Sequence, residues 1–174
     1  MQRLLVSICL VGVSAFALPG SSGAESGYAV APVLGHSMTI RLNDGNHCNL
    51  HVRAKRTGRQ VDSAARYFCY NNATKRPLSK AIKIRIVNQA GEWFAPKKGL
   101  NTRTFTECDR YFCQAKLASI GNPRPGATPT GTATFHIYYS RILAFWIPPP
   151  GCDYATDPKG ENSVRITCTI QDRS

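Results

Sequence analysis

The sequence predicts an α+β fold: a small twisted antiparallel sheet packed on one short helix and braced by disulfides. Three observations carry that expectation. Val164, Ile166, Cys168 and Ile170 alternate with Arg165, Thr167 and Thr169, and Ile82, Ile84 and Ile86 alternate with Lys83 and Arg85, which is the period of half-buried strands. Between Gln60 and Asn71, by contrast, Val61, Ala64, Ala65 and Phe68 recur at helical spacing, the one stretch of the chain read as a helix. Six cysteines outside the leader supply the bracing.

Taken in order, residues 1–24 read as a secretory leader, with Arg3 ahead of a largely apolar run from Leu4 to Leu18. Cleavage fits after Ala17 or after Ala24. The apolar run is shorter than the roughly 20 residues of a membrane span, and no later segment qualifies. A soluble, exported, monomeric protein is expected, with a flexible entry over residues 25–36 and one domain over 37–174. Ser37 to Leu42 is the first strand, Asn43-Asp44-Gly45-Asn46 a turn, and His47 to Ala54 the returning partner. The pair Lys55-Arg56 fits either a dibasic processing site or a solvated loop.

After the expected helix comes Asn72-Ala73-Thr74, an N-glycosylation acceptor in form. Lys80 to Val87 is a strand, and Gln89 to Gly99 a turn followed by a basic loop. Cys108 to Ile120 is given a helical turn, and Gly121 to Gly131 a Pro/Gly/Thr-rich loop. Thr132 to Ile147 alternates as a strand, Phe135, Ile137 and Tyr139 against His136, Tyr138 and Ser140, until Pro148-Pro149-Pro150 stops it.

Removal of the leader takes away Cys9 and leaves Cys48, Cys69, Cys108, Cys113, Cys152 and Cys168. An even count in an exported chain indicates disulfides, and the lack of a Cys-x-x-Cys or paired-His spacing disfavours zinc; no cofactor is implied. The preferred pairing ties the first strand to the last through Cys48 and Cys168. Cys108 and Cys113 then bond to each other, or to Cys69 and Cys152.

Charge narrows the partners. Lys and Arg number 22 against 10 acids, and losing Arg3 lowers the net charge of +12 only to +11. Such a field attracts polyanions, RNA or an acidic host macromolecule among them. If the Lys83-Arg85 strand lies near the Arg165 strand, three cations share one sheet face. Trp93, Phe94, Tyr138 and Tyr139 lie on or near strands of that sheet, and rings among cations suit single-stranded nucleic acid. Lys97 and Lys98 add charge in the neighbouring loop.

Leu143-Ala144-Phe145, Pro150-Gly151-Cys152-Asp153-Tyr154 and Val164-Arg165-Ile166 together resemble the strand, loop and strand of fungal extracellular ribonucleases and ribotoxins, the sarcin group. Cys108-Asp109-Arg110 and Glu92-Trp93-Phe94 are weaker echoes. The resemblance implies a sheet-on-helix ribonuclease architecture, with Arg165 as the cation for the transition state. It also implies loss of the proton-transfer groups, since Ala144 stands where the catalytic Glu would be and Glu92 where a His would be. The chain is then similar to catalytically degenerate secreted effectors of plant-pathogenic fungi, acting outside or inside a host cell by binding through Lys83, Arg85, Lys97, Lys98, Arg165 and Tyr138. Two alternatives stand beside this. One is an active ribonuclease with Glu92 as base, His136 as acid and Arg165 as the cation. The other is a cationic antimicrobial or killer-type toxin, disfavoured by the lack of a long amphipathic helix.

Overall fold

The computed structural model describes residues 35–42, 45–78, 82–94, 97–139, 149–156 and 164–174. The residues read as a leader and most of those read as an entry segment lie outside these residues, as do Asn43 and Asp44, Ala144 with its flanking residues, and the side chains of Lys97 and Lys98.

Ten strands are described: β1 (His36–Arg41), β2 (Asn46–Thr57), β3 (Gln60–Asn71), β4 (Lys83–Phe94), β5 (Lys97–Cys108), β6 (Phe112–Gln114), β7 (Ala118–Gly121), β8 (Thr128–Tyr139), β9 (Cys152–Thr156) and β10 (Val164–Arg173). They form two antiparallel five-stranded sheets. Sheet A runs β1-β2-β3-β6, with β7 also on β3; sheet B runs β5-β4-β8-β10-β9. Ile40, Leu50, Val52 and Tyr67 from sheet A share one buried cluster with Ile84, Ile86, Phe135, Ile137 and Ile166 from sheet B, so the fold is a β-sandwich. Each such fully buried side chain contributes about 1.5–3 kcal/mol through removal of apolar surface from water.

The architecture corrects the α+β expectation, because the stretch read as a helix is β3. Val61, Ser63, Ala65, Tyr67 and Cys69 are buried in strict alternation, all at 1% exposure or less. A polar Ser63 on the inner face and an apolar Ala64 on the outer one disguised the period of two as a helical one. The hydroxyl is accommodated: Ser63 Oγ donates to Asn88 Oδ1 at 2.7 Å, and Asn88 Nδ2 donates to the carbonyls of Ser63 (2.7 Å) and Lys116 (3.1 Å). This buried polar group links the two sheets, and each of its members has a partner. A second overlooked signal is the two-residue turn Gly58-Arg59, with Gly58 at φ 57°, which closes β2 and β3 into a hairpin. The Lys55-Arg56 pair lies in the paired end of that hairpin.

Two further local expectations change. The expected turn and basic loop over 89–99 is instead the continuation of β4 to Phe94, a bulge between Gly91 and Trp93, and the start of β5. No helical turn occurs over 108–120; β6 and β7 stand there, each pairing with β3.

The disulfides join Cys48 to Cys69, Cys108 to Cys113 and Cys152 to Cys168. The preferred Cys48–Cys168 pairing is therefore corrected. Cys48 and Cys69 face each other across β2 and β3, and Cys152 and Cys168 across β9 and β10, so these two bridges each span neighbouring strands of a single sheet, whereas Cys108 on β5 and Cys113 on β6 join sheet B to sheet A. Three disulfides are compatible with an extracellular protein. No helix among the described residues is long and apolar enough to cross a membrane.

Candidate polyanion-binding face

Alternation along β4, β8 and β10 sends most of their apolar side chains into the sandwich and, apart from the buried Asn88, Glu92 and Asp172, their polar ones outward, and register then decides which polar groups meet. Lys83, Tyr138 and Arg165 form one cross-strand row. The next row is Glu107, Arg85, His136, Thr167 and Asp153. Lys83 and Arg85 on β4 and Arg165 on β10 thus flank the two ring residues of the intervening strand β8. The face continues through hydroxyl and amide side chains, Thr134 with Thr169 (Oγ1 to Oγ1 3.0 Å) and Gln89 with Thr132 and Gln171, towards Arg173.

The rings order the cations. Lys83 Nζ lies 5.8 Å from the Tyr138 ring centroid, Arg85 Cζ 5.3 Å from that of Phe105, and Arg173 Cζ 5.2 Å from that of Trp93. Guanidinium over a ring keeps its N–H edge free for an anion while the ring face takes its plane. Arg165 Nε is buried and has no hydrogen-bond partner among the described residues. No ion pair joins Arg85 or Arg165 to Glu107 or Asp153 among the described residues, although Glu107 stands directly across from Arg85.

His136 reports the local field. Its Nδ1 is 3.2 Å from Thr167 Oγ1, and burial, then Arg165, then Arg85 lower its pKa below the ordinary 6.5. The imidazole is therefore held neutral near pH 7 among cations.

Glu92 does not join this group. It is buried within the bulge of β4, where its carboxylate accepts from the backbone N–H of Leu100 (3.3 Å) and of Arg124 (2.7 Å) and pairs with Arg124 Nε at 3.5 Å. In register Glu92 lies opposite Pro129 and His136 opposite Arg85, seven positions away, or roughly 20 Å along the strand. The Glu92 and His136 acid/base pair is not assembled. Glu92 instead fastens β5 at Leu100 to the loop before β8 at Arg124, a role hidden in the sequence because the bulge turns its side chain inward. Of the other expected members, Trp93 and Phe94 are partly exposed on the far end of β4, and Tyr139 lies on β8 beside Tyr138 but packs against the core.

The outer face of sheet A carries a second group that the helical assignment of β3 concealed. His47, His51, Arg66, Phe68 and Tyr70 share this face once β2 and β3 pair. His47 and Phe68 each stack with Tyr70 (centroids 5.9 and 5.8 Å apart), and Tyr111 meets Phe68 edge-on at 6.1 Å. Burial and then the Arg66 charge lower the His51 pKa.

Comparisons with protein-family models, curated proteins and solved structures find no match to this chain.

Proposed function

We propose that this chain is an exported, disulfide-braced RNA-binding protein that holds its ligand without cleaving it, on the outer face of sheet B. The observation that carries the proposal is the grouping of Lys83, Arg85 and Arg165 around His136 and Tyr138. Three cations supply the phosphate contacts, and Tyr138 offers a ring on which a base stacks. A partly buried guanidinium lacking a protein acceptor at Nε is made whole by a phosphate oxygen.

Binding rather than hydrolysis is favoured by the distribution of proton-transfer groups among the described residues. Cleavage of RNA needs a base and an acid, both within hydrogen-bond reach of the scissile phosphate. Glu107 and Asp153 stand two strands to either side of His136, roughly 10 Å away, and Glu92 is engaged elsewhere.

The test is fluorescence-anisotropy binding of a labelled structured RNA with single-stranded loops, at near-physiological salt, against a folded basic protein matched in charge. Saturable binding above the control, with the RNA recovered intact, is the expected result. Equal binding by the control removes the proposal, and cleaved RNA that depends on His136 replaces it with an enzyme.

A further inference from the structure

The turn that follows β3 is built in a way that the polyanion face does not use. Asn71 Oδ1 accepts from the backbone N–H groups of Ala73 (3.1 Å) and Thr74 (3.0 Å), and Lys75, at φ 57°, donates its N–H to the Asn71 carbonyl. Lys75 in the left-handed region reverses the chain so that Asn71 N–H reaches the Arg76 carbonyl at 2.9 Å. Asn72, Ala73 and Thr74 are lifted into solvent on this turn. Together they are Asn-x-Thr with no proline, the tripeptide that an oligosaccharide transferase accepts.

The environment of Asn72 adds a second feature. Lys75 Nζ donates to Asn72 Oδ1 at 2.7 Å, and the same ammonium stands 5.9 Å from the Tyr70 ring centroid. One small group therefore touches both the Asn72 amide and the space over the ring two residues earlier. Asn72 Nδ2 makes no hydrogen bond to any described residue. A pyranose attached at that nitrogen in the trans amide geometry stands beside Oδ1, the oxygen that the ammonium now holds. Its C–H edges carry partial positive charge, so they suit the negative face of Tyr70 for the same electrostatic reason that the ammonium does.

From this geometry we propose that Asn72 is an N-glycan acceptor whose first N-acetylglucosamine packs on Tyr70 and displaces Lys75. The donor is a lipid-pyrophosphate-linked oligosaccharide. The Asn72 nitrogen loses a proton and bonds to the sugar C1, the bond from C1 to the phosphate oxygen breaks, and the lipid pyrophosphate leaves. The glycan then stands at the end of sheet A, on the opposite sheet from the cationic face.

The full chain, secreted with its own leader from a yeast, tests this by intact mass and peptide mapping before and after enzymatic removal of N-glycans. Occupancy at Asn72, abolished in Thr74→Ala, is the expected result. Secreted wild type with three disulfides and no glycan overturns the proposal. For the packing, proton NMR of the glycosylated protein should show the first sugar's ring protons shifted upfield in wild type and in Tyr70→Phe, which keeps a ring and the fold. The shift should be lost in Tyr70→Leu. Unshifted sugar protons in wild type and Tyr70→Phe overturn the Tyr70 contact.

Discussion

Removing Arg165 isolates the electrostatics of the proposed face. On the proposed reading Lys83, Arg85 and Arg165, which register sets around β8, would make three phosphate contacts, and a single-stranded ligand contributes a slope of about −0.7 in log K against log salt for each. Wild type should therefore show a slope of about −2, so that raising salt from about 50 to about 200 mM weakens binding about 20-fold. In Arg165→Gln the slope should fall to about −1.4, and the same change in salt should cost only about sevenfold. Arg41→Gln is the matched control: it removes one exposed charge from β1 of sheet A, away from the face, and should leave the slope at its wild-type value. The assay is an anisotropy titration with a fluorescent single-stranded oligonucleotide at four salt concentrations. Equal loss of slope in Arg165→Gln and Arg41→Gln would refute the reasoning, because it would mean that net charge alone attracts the ligand.

Three other outcomes follow. The folded-state pKa of His136 lies below 6.5, so its contribution to stability is complete above about pH 6.5 and is lost as pH falls towards the folded value. His136→Gln should flatten the fall in denaturant midpoint between about pH 7 and 5, and an equally steep fall in the variant would count against the placement among Arg165 and Arg85. Glu92→Gln should lower stability by about 1–3 kcal/mol in chemical denaturation, by weakening its bonds to Leu100, Arg124 and the Arg124 guanidinium, yet leave RNA affinity unchanged. Replacing Cys48 and Cys69 together by Ala opens a cross-link of sequence separation 21 and should cost about 3 kcal/mol, and peptide mapping of the unreduced protein should recover the three bridges as Cys48–Cys69, Cys108–Cys113 and Cys152–Cys168.

The strands that alternate without exception were legible. β10 opens with Val164 and Ile166 on its inner face and β4 with Ile84 and Ile86, and the turn ahead of His47 marked β1 and β2 as a hairpin. β3 was not, because the inner-face Ser63 gains its partner from Asn88, a residue 25 positions later, and no local pattern announces that a hydroxyl will be satisfied inside a core. Reading β3 as a helix also hid the cross-strand register that sets Cys48 opposite Cys69. The grouping of Lys83, Arg85, Arg165, His136 and Tyr138 followed from alternation, but which side chains share a row depends on register, set by pairing distant in sequence. Glu92 was misleading for a similar reason: a bulge reverses its direction, and the loop that binds it arrives 32 residues later.

The central claim is that the ligand lies on sheet B across β4, β8 and β10. Amide chemical-shift mapping of the isotope-labelled protein during titration with a short single-stranded RNA tests it most directly. Perturbations should cluster at Lys83, Arg85, His136, Tyr138 and Arg165, and spare His47, Phe68 and Tyr70. Perturbations centred on those three residues of sheet A, or spread evenly over both sheets, would contradict it.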